Sequence, residues 1–194
     1  MRISDISIFK NEHSMPPYNE IIIKHFRTDF GELILGSYNE MLCLCDWKYR
    51  KMRSEIDERI QKGLSVTYKE GTSQILEKTI SQLQEYFLGK RKEFDIPLLL
   101  IGSEFQKQVW EALKTVSFGD TKTYLELSST LGNKKAIRAV ASANGANANS
   151  IIVPCHRIIG SKGELTGYAG GLNTKKKLLK HEAEISGTAQ LELF

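Results

Sequence analysis

The sequence predicts an α/β protein made of a small N-terminal domain of strands and helices and a mainly helical C-terminal domain. Apolar, β-branched runs lie within residues 20–47, apolar residues recur at helical spacing after Ser73, and helix-capping patterns follow residue 102. Of the 194 residues, 41% are hydrophobic and 26% are charged, which is typical of a chain that buries a core. This composition excludes a disordered or collagen-like protein. We place the domains at residues 1–98 and 99–194.

The N-terminal domain begins with three predicted strands, over residues 20–27, 32–37 and 41–47. Turn-forming residues separate them, as in a small β-meander. Cys43 and Cys45 lie two positions apart in the third strand, so we expect their side chains to share one face. Thiols this close do not favour a disulfide, and a chain with three cysteines is expected in the reducing cytoplasm.

Two helices and a connector complete this domain. Charged residues with scattered apolar positions predict an exposed helix over 48–62. From Ser73 to Leu88 apolar residues recur every three or four positions, and Gly89 offers a C-terminal cap. The following segment, Lys90 to Gly102, combines a charge run with Pro97 and predicts a connector between the domains.

The C-terminal domain is predicted to contain a helix-turn-helix. Capping boxes at Ser103 and Thr123 begin two helices. The second ends at Gly132, and Asn133 can cap a third helix that is rich in alanine. Helical hairpins that do not bind DNA share this pattern. Arg138, near the start of the third helix, is either a side chain that inserts into a DNA groove or an ordinary surface arginine.

Basic residues are concentrated in the C-terminal domain. Residues 101–182 hold twelve Lys and Arg against six Asp and Glu, whereas the rest of the chain holds fifteen against seventeen. This asymmetry favours a polyanionic partner, with a solvated charged face as the alternative. The sequence has no run of eighteen apolar residues, so we expect no membrane span. The N-terminus lacks the apolar core of a secretory signal.

The sequence Pro-Cys-His-Arg is the candidate reactive segment. Residues 151–153 predict a buried strand that Pro154 ends, which would hold Cys155 at the rim of a cavity. The thiolate is the nucleophilic form of cysteine, and His156 can take its proton directly or through a water molecule. An amphipathic helix over 173–182 would carry Glu182 inward, where His156 is its candidate partner. The alternatives are an inert buried cysteine and a solvated glutamate.

These residues belong to a longer series that resembles the O6-alkylguanine-DNA alkyltransferases, also called methylated-DNA–protein-cysteine methyltransferases. The resemblance covers most of the chain and is carried, in order, by FDIPL at 94–98, Phe105 to Trp110, Phe118-Gly119 with Tyr124, Arg138 to Val140, Asn144 to Asn147, Ile152 to Arg157, and Gly167 to Gly171. A four-residue motif can arise by chance, whereas this whole series in the family's order and spacing does not.

The resemblance implies a ribonuclease-H-like N-terminal domain and a C-terminal domain whose helix-turn-helix enters the minor groove of double-stranded DNA. It implies a repair protein that flips O6-alkylguanine, and also O4-alkylthymine, out of the duplex. Cys155 would accept the alkyl group irreversibly, so that each molecule acts once. We expect no cofactor, no membrane association and a monomer in the cytoplasm. Some members bind structural zinc, but the Cys and His residues here do not show a recognisable ligand spacing, so we predict no metal.

The family's roles fall on individual residues of this chain. His156 matches the water-mediated base and Glu182 the carboxylate that orients it. Asn147 matches the residue that braces the turn between the recognition helix and the active site. Tyr124 matches the tyrosine that aids nucleotide rotation and hydrogen-bonds the guanine leaving group. Arg138 matches the arginine that replaces the extruded base in the stack.

The resemblance also implies residues that line the DNA surface and the alkyl pocket: Leu125, Asn133 and Ser161 for DNA, and Val153, Tyr168 and Ala169 for the pocket. Ala169 departs from the family, because some members have serine there, and we expect little effect. Two other functions remain open on the residues alone. They are a DNA-binding regulator without chemistry and a Cys-His hydrolase.

Overall fold

The computed structural model describes residues 19–188. The N-terminal domain is a four-stranded sheet with two helices, and its elements are β1 (Glu20–Thr28), β2 (Gly31–Tyr38), β3 (Met41–Trp47), α1 (Arg53–Leu64), β4 (Thr67–Glu70) and α2 (Gln74–Phe87). The strand order is β3-β2-β1-β4, with β4 parallel to β1 and the other pairs antiparallel. The predicted meander is confirmed. The strand β4 was not predicted, and the helix predicted over 48–62 begins five residues later than expected, because residues 48–52 form a turn.

A bulge in β3 makes the expectation for Cys43 and Cys45 wrong. Gly36 pairs with Leu44 but Ser37 pairs with Leu42, so Cys43 is an extra residue on β3. The extra residue changes the side-chain alternation, and Cys43 packs in a different apolar cluster from Cys45. Both thiols are free and buried, and burial raises the pKa of Cys43 to about 12.

The C-terminal domain is mainly helical, as predicted. Its elements are α3 (Glu104–Leu113), β5 (Lys122–Thr123), α4 (Tyr124–Thr130), a 3₁₀ turn (Lys134–Ala136), α5 (Ile137–Gly145), a second 3₁₀ turn (Cys155–Arg157), β6 (Ile158–Ile159) and α6 (Gly171–Ser186). Both predicted capping boxes are present. The side chain of Asn133 accepts a hydrogen bond from the backbone N–H of Lys135, and so caps the 3₁₀ turn that leads into α5.

The segment before the reactive cysteine is a turn, so the predicted buried strand over 151–153 is wrong. Ile151 has a φ of 74°, in the left-handed region that a β-branched residue rarely adopts. Ser150 and Val153 form only an isolated bridge across this turn. The three apolar side chains are buried as expected. Ile151 and Ile152 pack in a cluster with residues of the sheet and α2, whereas Val153 packs in a second cluster with residues of α3 and α5.

The edge strand β3 joins the two domains. The backbone N–H of Leu99 donates to Leu42 O at 2.9 Å, and the N–H of Cys45 donates to Ala148 O at 2.8 Å. One apolar cluster contains residues of the sheet and α2 together with Ile151, Ile152 and Leu178. The boundary between residues 98 and 99 stays a prediction. In the described part of the chain, no helix is both long and apolar enough to cross a bilayer.

Candidate active site

Cys155 lies at the start of a 3₁₀ turn and is 3% exposed. Its backbone N–H donates to Val153 O at 2.8 Å. The side-chain amide of Asn147 donates to the Cys155 Sγ at 3.1 Å and to Val153 O at 2.8 Å, while its oxygen accepts from the N–H of Asn149 at 2.9 Å. Asn147 therefore holds both the thiol and the turn that carries it.

His156 and Glu182 form the buried pair that the sequence predicts. The His156 Nε2 and Glu182 Oε1 atoms are 2.8 Å apart, and the two side chains are 0% and 1% exposed. The other ring nitrogen, Nδ1, is buried and has no hydrogen-bond partner among residues 19–188. When Nε2 donates to the carboxylate, Nδ1 is an acceptor. The pair thus presents one free basic nitrogen next to the reactive turn.

The Glu182 carboxylate accepts hydrogen bonds from four residues in three parts of the chain. Oε1 accepts from the Tyr86 hydroxyl at 2.7 Å, from His156, and from Arg157 Nη2 at 3.0 Å. Oε2 accepts from Arg157 Nε at 2.9 Å and from the N–H of Gly119 at 3.1 Å. Burial alone would raise the pKa of this carboxyl, but the charges and hydrogen bonds of His156 and Arg157 outweigh it and hold the pKa well below its usual range.

The resting cysteine and histidine are both favoured in their neutral forms. Burial raises the pKa of the Cys155 thiol, and the hydrogen bond from Asn147 opposes that shift. Burial lowers the pKa of His156, against the opposing effect of Glu182. A neutral thiol beside a neutral imidazole can react once the proton moves from sulfur to nitrogen, because Glu182 stabilises the imidazolium that results.

Tyr124 reaches the same site from the start of α4. Its hydroxyl accepts hydrogen bonds from Asn144 Nδ2 at 3.4 Å and from Thr166 Oγ1 at 3.2 Å. Burial raises the pKa of Tyr124, and the nearby Cys155 adds to this effect. In both contacts the hydroxyl oxygen is the acceptor, so the phenol can still donate its own proton to a bound group.

The predicted pocket residues differ in exposure. Val153 is fully buried in an apolar cluster of the C-terminal domain, whereas Tyr168 and Ala169 are partly buried on the glycine-rich loop before α6. The Tyr168 hydroxyl accepts from Trp47 Nε1 at 2.9 Å, and a Cβ on Gly170 would lie 2.8 Å from the Trp47 ring. A residue of β3 therefore supports this loop.

The predicted DNA contacts lie on the outer surface of the helix-turn-helix and the loop beyond it. Leu125 is 45% exposed, and Asn133, Arg138 and Ser161 are exposed as well. They are separate from the buried residues around Cys155, and Arg138 extends from the first turn of α5.

The structure adds two residues to this site, Arg157 and Lys175, that were not predicted from the sequence. Arg157 binds Glu182 with two nitrogens and donates to Val116 O at 2.6 Å. Its position directly after His156 was the feature of the sequence that could have indicated it. Lys175 is fully buried, donates to Ile158 O at 2.5 Å and to Thr166 O at 3.0 Å, and burial lowers its pKa to about 8. Nothing in the local sequence distinguishes Lys175, because it begins a run of three lysines.

The described residues contain no group of three or more His, Cys, Asp or Glu side chains that could hold a metal ion. His13, one of the histidines to which the prediction of no metal applies, lies outside the described residues.

Two family models match this chain and together cover most of it. One is described as the 6-O-methylguanine DNA methyltransferase, ribonuclease-like domain, and matches residues 24–100. The other is described as the 6-O-methylguanine DNA methyltransferase, DNA binding domain, and matches residues 104–184. The ribonuclease-like fold expected for the N-terminal domain agrees with the first match.

Known relatives and solved structures give the same result. The methylated-DNA–protein-cysteine methyltransferase of Methanosarcina acetivorans is 41% identical over 157 residues, which are 81% of this chain and 95% of that protein. The protein of that name from Mycolicibacterium paratuberculosis is 51% identical over 115 residues, 59% of this chain and 69% of the relative. A crystal structure of Mycobacterium tuberculosis OGT in complex with DNA has a TM-score of 0.73 at 36% identity, covering 84% of this chain and 94% of that one.

Proposed function

Because this chain belongs to the methylated-DNA–protein-cysteine methyltransferase family, we propose that it repairs DNA by transferring the alkyl group of O6-alkylguanine to its own Cys155. The observation that carries the assignment is the arrangement around this thiol. Asn147 bonds the Sγ atom, and the neighbouring His156 is held by Glu182 through one ring nitrogen. The other ring nitrogen is buried and unpartnered within the described part of the chain, which suits it to receive a proton.

The proposed reaction is a single displacement at the alkyl carbon. The thiol proton passes to His156 Nδ1 through a water molecule, and Glu182 stabilises the imidazolium. The thiolate sulfur then bonds to the alkyl carbon as the carbon–O6 bond breaks, and guanine leaves with the electron pair. Tyr124 donates a hydrogen bond to the leaving base. The thioether that forms is not readily cleaved, so each molecule acts once and no cofactor is needed.

The damaged base must leave the duplex to reach a buried thiol. Flipping a nucleotide costs roughly a few kcal/mol. We propose that the helix-turn-helix binds the minor groove, that Arg138 fills the vacated position, and that Leu125, Asn133 and Ser161 contact the DNA. Their exposure supports these roles. Val153, Tyr168 and Ala169 are the proposed pocket residues. O4-alkylthymine belongs to the same substrate class, and the protein is proposed to act as a monomer in the cytoplasm.

The test is the mass of the peptide containing Cys155 after incubation with duplex DNA that carries O6-methylguanine. We expect one added methyl group per molecule and a stoichiometric end point. Cys155→Ser should form no adduct and keep its affinity for DNA, because an alcohol supplies almost no alkoxide at neutral pH. DNA binding without an adduct in the wild type would favour a regulator. Repeated turnover of an ester or peptide would favour a hydrolase.

A further inference from the structure

The N-terminal domain binds four consecutive backbone carbonyls at the end of the recognition helix α5. Arg50 donates through Nη2 to Gly145 O and through Nη1 to Asn147 O at 2.7 Å. Arg59 Nη2 donates to Ala146 O at 2.7 Å, and the N–H of Cys45 donates to Ala148 O at 2.8 Å. These donors belong to β3, α1 and the turn between them. We call residues 145–150 the hinge segment, since they connect α5 to the turn before Cys155.

A buried carboxylate fixes the arginine that binds the hinge segment. Asp46 is 0% exposed and accepts from Arg50 Nη1 at 2.8 Å, while Arg50 itself is 7% exposed. The second oxygen of Asp46 accepts from the Ser150 hydroxyl, at the far end of the hinge segment, at 3.1 Å. Burying such a pair is costly unless its remaining donors and acceptors are satisfied, and here the hinge segment satisfies them.

The hinge segment contains the asparagine that touches the reactive thiol. Arg50 holds the backbone carbonyl of Asn147, and the side chain of the same residue donates to the Cys155 Sγ atom. A displacement of this backbone therefore moves the donor that positions sulfur. Arg59 acts on the adjacent carbonyl, and its guanidinium also lies 5.3 Å from the centre of the Trp110 ring.

We propose that Arg50 and Arg59 are positioning residues for alkyl transfer, and that the N-terminal domain aligns the Cys155 thiol by holding the hinge segment through them. This inference rests on the proposed function. It gives the N-terminal domain a role in the reaction although neither arginine touches Cys155. Reactions that depend on alignment lose on the order of 100-fold in rate for an error of about 1 Å. Loss of two carbonyl contacts should thus slow transfer more than loss of one.

The positive charge of Arg50 also acts on the thiol. Of the charges around Cys155, Arg50 and Lys175 lower its pKa and Asp46 raises it. The other titratable groups facing the thiol are Tyr124, Tyr168 and the neighbouring His156. Removing the Arg50 charge while Asp46 remains should therefore raise the pKa of the thiol. The rate of transfer should then begin to increase only at a higher pH than in the wild type.

The experiment measures single-turnover transfer from free O6-benzylguanine across a pH series, because a free base needs no DNA binding. The amount of adduct at the end point reports the folded fraction, and the rate constant reports alignment in that fraction. We expect Arg50→Met to lower the rate constant at least about tenfold and to shift its pH profile upward. Arg50→Lys should restore the pH profile and part of the rate. Arg59→Met should give a smaller loss and leaves no buried carboxylate unpaired.

Arg91→Met is the matched control. Arg91 also binds one carboxylate, Glu85 at 2.6 Å, and one backbone carbonyl, Glu93 O at 2.9 Å, but it lies in the connector away from the hinge segment. The rate constant of Arg91→Met should stay within about twofold of that of the wild type.

Three outcomes would overturn the inference. The first is a wild-type rate constant in both Arg50→Met and Arg59→Met, whatever the amount of adduct at the end point. The second is an unshifted pH profile in Arg50→Met. The third is a failure of Arg50→Lys to restore the rate or the pH profile. A wild type that forms no Cys155 adduct would refute the proposed function as well. Adduct formation with unaffected variants would refute this inference alone.

Discussion

Glu182→Gln tests the most densely bonded charge of the candidate active site. The carboxylate is 1% exposed and accepts five hydrogen bonds, from Tyr86, His156, Gly119 and two nitrogens of Arg157. Glutamine has the same shape, but it replaces one acceptor oxygen by an NH₂ group and removes the negative charge. The substitution therefore isolates charge and hydrogen bonding from packing.

The cost follows from the donors that lose their acceptor. If the NH₂ group replaces Oε2, the Arg157 Nε and the N–H of Gly119 both face a donor. A buried donor without an acceptor costs about 1–3 kcal/mol, and breaking a buried ion pair costs about 3–5 kcal/mol in total. Since domains of this kind are stable by only about 5–15 kcal/mol, Glu182→Gln should remove a large part of the free energy of unfolding.

The assay is denaturant unfolding, run beside Glu111→Gln. Glu111 pairs with Lys114 at 2.8 Å but is 57% exposed, so its loss should cost at most about 1 kcal/mol. Adding Arg157→Met to Glu182→Gln removes the unpaired cation and should recover part of the lost stability. A loss below about 1 kcal/mol for Glu182→Gln, or no recovery in the double variant, would refute this account of the buried pair.

Three further predictions concern other parts of the molecule. Arg138→Ala should slow alkyl transfer strongly on duplex DNA and little on free O6-methylguanine, because only the duplex has a vacated stack, and equal slowing on both would refute the role of Arg138. The stability contribution of Glu182 should be present above its unfolded pKa of about 4.5 and be lost as pH falls toward its lowered folded pKa, so acid titration of unfolding should show a flatter curve in Glu182→Gln. Ser103→Ala removes the capping box of α3 and should cost about 1 kcal/mol in denaturant unfolding; an unchanged midpoint would contradict the cap.

The parts of the fold that depend on residues close together in the chain could be predicted from the sequence. Capping boxes at Ser103 and Thr123 act over three residues, and the strands of the meander follow from short apolar runs between turns. The bulge at Cys43 could not be predicted, because it depends on how Gly36 and Ser37 of the partner strand align. The turn at Ile151 was missed for a related reason. A β-branched run favours a strand locally, but here Ile151 and Ile152 form a turn and pack against residues of the sheet and α2.

The candidate site likewise has one part that could be predicted from nearby residues and one part that depends on distant residues. Cys155 and His156 are adjacent in the chain, and the helix that carries Glu182 has a visible apolar face, so their meeting could be inferred. Arg50 and Asn147 are 97 residues apart, and nothing in either local sequence indicates their contact. Charged residues are usually exposed, which made the surface the natural expectation for Arg50.

Charged side chains from both domains act on the buried Cys155 thiol. A cysteine that must stay unreactive until a damaged base arrives is best kept neutral, and burial does this by raising the pKa of Cys155. The same burial keeps bulk solvent from the ions formed during proton transfer, so the protein itself has to stabilise them. Glu182 on α6 offers a fixed charge of one sign, and Arg50 from the N-terminal domain offers the other. Fixed charges supplied from outside the reactive turn can stabilise a transient thiolate and imidazolium without exposing the thiol to solvent.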